Sequence, residues 1–243
     1  MKREADKIVI EDLQRQIMQL QGNRPVPDHQ SNLSLGAIES SFPGNIFPKA
    51  AIHELISLSA ENAACTSGFI SVILGKLLQQ NGFCAWIGTP QIYPPALKIF
   101  NIEPERILFI NTKKRKDTLW ALEETLKCDA LTAVVGELSD LSFDESRRLQ
   151  LAVERSRVTG FIHRHQPKIS NPVACISRWK ITSIPGTAPD GIPGLSFPAW
   201  NIELLKVRNG KPGQWQVQWS AKGLEYISKE APAAIPMYRP QTA

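Results

Sequence analysis

The chain has 243 residues, 42% of them hydrophobic, with 28 Lys and Arg against 23 Asp and Glu for a net charge of +5. This suits one well-buried α/β domain with short appendages and leaves no room for a second full domain; no segment has the length of a membrane span, and Cys65, Cys84, Cys128 and Cys175 are too scattered for a disulfide framework. Residues 1–140 carry 14 basic and 16 acidic side chains, net −2, and residues 141–243 carry 14 and 7, net +7, which suits an anionic partner for the second half and equally suits ordinary solvated charge.

The chain opens on Met1-Lys-Arg-Glu-Ala-Asp-Lys7, followed by an apolar run too short for a signal peptide. With the reduced cysteines, this predicts a soluble, cytoplasmic protein. Over residues 4–21, Ile10, Leu13, Ile17 and Leu20 recur at steps of three, four and three, a narrow apolar stripe on a charged helix. Such a helix either folds back on its own domain or docks a partner or a second copy. Residues 22–44, rich in Pro, Ser, Asn and Gly, read as a loosely held linker.

Between an apolar strand at 52–57 and an amphipathic helix at 66–81, with Phe69, Ile70, Ile73 and Leu77 on one face, lies the position of a phosphate-binding loop. Such a loop reads G-x-x-x-x-G-K-[ST]; its glycines let backbone amides reach the phosphates and its lysine neutralises them. Here the register gives Ser59, Ala64, Cys65 and Thr66, with Glu61 among them. Both glycines and the lysine are replaced. Loss of the cation from a desolvated charge pair costs about 3–5 kcal/mol, so the sequence predicts no triphosphate binding in the usual manner.

Further strands are predicted at 83–88, 107–110, 132–136 and 159–163, and helices at 116–128 and 142–157. The last helix opens on Ser142-Phe-Asp-Glu145, a capping box. Short buried strands separated by helices imply a mainly parallel sheet with right-handed crossovers. Strand-like runs then follow at 173–182, 200–207 and 214–219. The turn Arg208-Asn-Gly-Lys-Pro-Gly213 between the last two argues for an appended antiparallel hairpin. Residues 221–243 read as a flexible tail. The organisation is therefore an N-terminal helix and linker over 1–43, a core over 44–220, and a tail over 221–243.

The segments Phe47-Pro-Lys-Ala-Ala-Ile-His-Glu54, Ile92-Tyr-Pro-Pro-Ala96, Asp117-Thr-Leu-Trp-Ala-Leu-Glu-Glu124, Ala133-Val-Val-Gly-Glu-Leu138, Arg147-Arg-Leu-Gln-Leu-Ala152 and Arg208-Asn-Gly-Lys-Pro-Gly213 resemble the ImuA family. Its members are RecA-like accessory proteins of bacterial mutagenic repair. The resemblance spans roughly residues 42–220, and the order of elements also resembles the RecA-type ATPase core. It implies an α/β fold: a RecA-like, mainly parallel sheet flanked by helices, with a C-terminal antiparallel hairpin.

Against an active RecA-type site, three positions depart. The phosphate loop is degenerate. Gly136 stands where an acid helps hold magnesium, with Glu137 one step on, and a one-residue shift along a strand reverses the face. Thr89-Pro90-Gln91 stands where a glutamate activates water. Hydrolysis needs phosphate positioning, metal and a water-orienting group together. The resemblance therefore implies a fold kept and an ATPase lost, with no cofactor and no metal.

The implied role is a non-catalytic adaptor in SOS-induced error-prone translesion DNA synthesis. It would bind an ImuB-type polymerase-like subunit, with an error-prone replicative polymerase subunit, DNA and self-association as further candidates. Alternatives are a SulA-like cell-division inhibitor, also RecA-like without a phosphate loop, and a residual ATPase or a Cys65-dependent enzyme. Candidate DNA contacts are Arg147, Arg148, Arg155, Arg157, Arg164 and Lys168, with Lys113-Lys-Arg-Lys116 nearby; pairing with Asp144, Glu145 and Glu154 accounts for them equally well. Candidate partner contacts are Ile10, Leu13, Ile17 and Leu20.

His163 and His165 alternate on a strand and so share a face that could begin a metal site. No nearby cysteine or acidic pair completes it in the sequence, so hydrogen bonding or a polar surface at a strand end accounts for the pair better. Cys65 near a helix N-terminus would have a lowered pKa, but no base accompanies it. Trp179, Trp200, Trp215 and Trp219 suit core packing better than base stacking.

Overall fold

Five apolar runs form the strands β1 (Ile52–Ser57), β2 (Cys84–Gly88), β3 (Ile107–Asn111), β4 (Ala133–Leu138) and β5 (Thr159–His165). They alternate with the helices α1 (Ala60–Leu77), α2 (Arg115–Leu126) and α3 (Phe143–Ser156). Four further strands follow: β6 (Ser177–Ile184), β7 (Ala199–Val207), β8 (Gly213–Ser220) and β9 (Gly223–Tyr226). This is a computed structural model, and it describes residues 32–79, 81–89, 92–167, 171–186 and 196–227. The expected N-terminal helix with Ile10, Leu13, Ile17 and Leu20 lies outside the described residues, as do Pro90, Gln91, Lys168 and residues 228–243.

The nine strands make one sheet in the order β3-β2-β4-β5-β1-β6-β7-β8-β9. Pairing is parallel from β3 through β6 and antiparallel from β6 through β9. The α/β fold, mainly parallel with a C-terminal antiparallel extension, is thus as the sequence predicts. Because side chains alternate across a strand, the sheet feeds two cores. Val135 and Phe161 join Phe69, Ile70 and Ile73 of α1 on one face. On the other, Val134 and Ile162 join Leu122 and Leu126 of α2 and Leu149 and Val153 of α3. Ser142 caps α3 with the predicted box, its Oγ accepting from Glu145 N and its own N–H donating to the Glu145 carboxylate.

Three local expectations are corrected. Within the expected linker, Leu33, Leu35, Ile38 and Phe42 are buried in the α1-side core, and a 3-10 helix forms at Gly36–Ser41. The buried Glu39 carboxylate accepts from Leu33 N and Leu35 N at 2.9 and 3.2 Å, which satisfies backbone donors that burial removes from water. Within the expected tail, residues 223–226 form β9, and Tyr226 Oη accepts from Ile38 N at 3.0 Å. Third, α1 begins at Ala60, six residues before the expected start. The consequence for the site is large. Among the described residues no helix is long and apolar enough to cross a membrane.

Candidate functional site

The C-terminal ends of parallel strands are where an open α/β sheet places its ligands. At the end of β1, only Leu58 and Ser59 separate strand from helix. Ser59 caps α1, accepting from Asn62 N at 3.3 Å, and Ala63 N donates to Ser59 O. The stretch that would wrap a phosphate, Ala60 to Thr66, is therefore helical. Its later amides point along the helix axis to carbonyls four residues back rather than into a common cradle. Ser59, Ala64, Cys65 and Thr66 keep the chain position of the loop and lose its shape. The fully exposed Glu61 carboxylate sits in the first turn, held below its usual pKa by the Ser59 hydroxyl and its own backbone N–H. A negative charge thus occupies the end of the helix that would otherwise attract an anion.

Beside this turn lies a cleft of about 810 Å³, lined by Ser59, Ala64, Cys65, Glu137, His165 and Trp200 among others. Its floor is a chain of polar side chains. Thr66 Oγ1 donates to Asn62 O at 2.7 Å, and the Ser57 hydroxyl lies 2.8 Å from Thr66 Oγ1 and 3.3 Å from Asn62 O. Ser57 Oγ also shares a 2.7 Å hydrogen bond with His163 Nε2. The other ring nitrogen is His163 Nδ1. It is buried without a partner among the described residues, and so is His165 Nε2. An unsatisfied buried polar atom costs about 1–3 kcal/mol, so two side by side call for an explanation.

Glu137 faces the same place. Parallel pairing sets Glu137 opposite His163 in the register of β4 and β5, and Glu137 Oε2 lies 3.7 Å from His165 Nε2. Its other oxygen accepts from Trp86 Nε1 at 2.9 Å. Burial raises the Glu137 pKa against the opposing effect of that hydrogen bond. Burial lowers both imidazoles, His163 well below its usual value with help from the adjacent His165. The two rings lie 4.0 Å apart. The expectation that the one-residue shift turns Glu137 away is overturned: the carboxylate lines the cleft. Gly88 makes room for it, since a Cβ there would come within 2.7 Å of Glu137 Cβ. Gly136 faces the opposite core, where any Cβ would meet Leu122 at 2.3 Å, so an acid at that position has no space. The acidic partner that the sequence reading missed for His163 and His165 is therefore Glu137, on the neighbouring strand.

Other candidates fall elsewhere. Cys65 is the sixth residue of α1, not its end, and partial burial raises its thiol pKa against a hydrogen bond from Ser183; the lowered pKa expected for a nucleophile is not found. Trp179, Trp200 and Trp219 are buried, and Trp215 packs against the same core. Arg147, Arg148, Arg155 and Arg157 are exposed on α3 and its C-terminal cap, with Glu154 among them and Arg148 paired to Glu123 of α2. Arg164 does not join them. It lies fully buried on the α2 and α3 side of the sheet, bonded to Glu54 and 3.7 Å from Asp140. Of the nearby basic run, Arg115 pairs with Glu145.

No family model matches the chain. Two proteins named Protein ImuA, from Caulobacter vibrioides strain NA1000 / CB15N and strain ATCC 19089 / CIP 103742 / CB 15, are each 30% identical to it over 207 residues. The alignment covers 79% of this chain and 84% of theirs. Likeness over that share of both chains is a relationship of whole domains rather than of one motif, and this protein belongs to the ImuA family.

Proposed function

We propose that the chain is a non-catalytic, RecA-like adaptor in SOS-induced, error-prone translesion DNA synthesis. It works in the cytoplasm, joins an ImuB-type polymerase-like subunit to the assembly, and has an error-prone replicative polymerase subunit as a further partner. The observation that carries the non-catalytic part is the helix running from Ala60 through the phosphate-loop position. A phosphoryl-transfer site works by positioning and charge stabilisation, and here the backbone donors from Ala63 onward are committed to the helix while Glu61 adds like charge. Membership of the ImuA family supports the repair role and the choice of partners. DNA contact falls to the exposed arginines of α3. Self-association and partner docking fall to Ile10, Leu13, Ile17 and Leu20.

The test is reconstitution of the purified chain with a purified ImuB-type subunit, with ATP turnover followed in the same samples. A stable complex without turnover supports the reading. Turnover on the order of 1 per second, an ordinary enzyme rate, would overturn it.

A further inference from the structure

We propose that Glu137, His163 and His165 form a binding site for a divalent transition-metal ion of the Zn2+ class. This goes beyond the adaptor role and does not depend on it. One donor atom from each residue lies within 4.8 Å of the others. Zn2+ is held by imidazole and carboxylate donors at about 2.0–2.2 Å, and tetrahedral bonds of that length set ligand atoms about 3.4 Å apart. His165 Nε2 and Glu137 Oε2 already stand 3.7 Å apart, so a small inward movement of the side chains completes the set.

Two independent features point to a ligand rather than to a chance cluster. First, His163 Nδ1 and His165 Nε2 are buried ring nitrogens with no hydrogen-bond partner among the described residues, and a metal ion satisfies both. Second, the atoms behind the donors are organised as metal sites organise them. A metal-bound histidine donates its other ring N–H, and a metal-bound carboxylate is itself hydrogen-bonded. Here His163 Nε2 is hydrogen-bonded to Ser57 Oγ, the contact in which a metal-bound ring would donate, and Glu137 Oε1 accepts from Trp86 Nε1. His163 and Glu137 also sit in register on adjacent strands, which suits a rigid site. Imidazole ligands favour Zn2+ and its neighbours over Mg2+, which prefers oxygen ligands throughout. Because Glu137 and His165 line the cleft, the fourth position opens towards it, where water or a partner's side chain can complete the coordination.

The full chain, without an affinity tag and stripped with a chelator, is titrated with Zn2+ by calorimetry and with Co2+ by visible absorption. One Zn2+ per chain is expected, with a four-coordinate Co2+ spectrum lacking thiolate bands, and no response to Mg2+. Ser57→Ala should weaken binding by about 10–100-fold, and His165→Ala and Glu137→Gln by more. Circular dichroism of each variant reports that it remains folded; His165 and Glu137 are only partly buried, so these two keep the test informative even if a change at the buried His163 unfolds the protein. Absence of saturable Zn2+ binding would overturn the proposal. So would equal affinity in His165→Ala and Glu137→Gln, or a Co2+ spectrum of thiolate origin that disappears in Cys128→Ser.

Discussion

Glu54 accepts a 2.7 Å hydrogen bond from Arg164 Nη1 inside the sheet, with both side chains fully buried. The other Glu54 oxygen is taken by Arg178 of β6. One carboxylate thus ties β1 to both of its neighbours, at the centre of the nine-stranded order. Removing one partner of a buried pair leaves an uncompensated charge and costs about 3–5 kcal/mol. Arg164→Ala should therefore lose stability of that size in urea unfolding. Arg155→Glu, at an exposed position, should stay within about 0.5 kcal/mol of the parent. A neutral Arg164→Ala would show that Glu54 does not depend on it.

If the exposed arginines of α3 bind DNA, they touch phosphates and not bases. Binding should be indifferent to sequence, and affinity should fall by about one log unit per log unit of salt for each phosphate neutralised. Replacing Arg155 and Arg157 by Glu should lower both the affinity and that slope. The competing account is helix chemistry alone, since basic groups at a helix C-terminus are stabilised by its dipole. Unchanged binding across a salt series would leave that account standing.

How far the sequence revealed these features depended on whether their partners were local. The strands of the parallel half and the Ser142 box announce themselves through apolar runs and a short fixed spacing. The start of α1 was hidden by comparison with a loop template: Ser59 followed by Ala60, Glu61, Ala63 and Ala64 is a good capped helix start in its own right. Leu33, Leu35, Ile38 and Phe42 were masked by the Ser and Gly between them. The burial of Arg164 and the meeting of Glu137 with two histidines depend on the lateral order of strands and their register. No single segment carries that information.

His53 gives a pH dependence with a definite sign. It is buried between Phe47 and Phe161, its Nε2–H donating to Pro48 O at 2.8 Å. Burial lowers its pKa from 6.5 to about 4, opposed by the Pro48 hydrogen bond. The unfolded chain therefore takes up the proton first as pH falls. The contribution is fully present above about pH 6.5 and is lost as pH drops towards 4, in total about 3 kcal/mol. Urea unfolding from about pH 7.5 to about pH 4.5 should show a shallower loss for His53→Gln than for the parent. Parallel curves would contradict the assignment.

Deleting residues 1–22 should weaken association with itself or with a partner and leave a folded core, because an apolar stripe of that width needs a surface to cover it. Light scattering and far-ultraviolet circular dichroism separate the two effects. An unfolded or insoluble truncation would instead make the segment part of the domain.

The most direct test of the adaptor account is a pull-down of the full chain from DNA-damaged cells, with and without added ATP. The account predicts recovery of an ImuB-type polymerase-like subunit in equal amount under both conditions, since the stretch at the phosphate-loop position is helical from Ala60 and forms no cradle for nucleotide to act through. Recovery of that subunit only with ATP, or of a tubulin-like protein in its place, would contradict it.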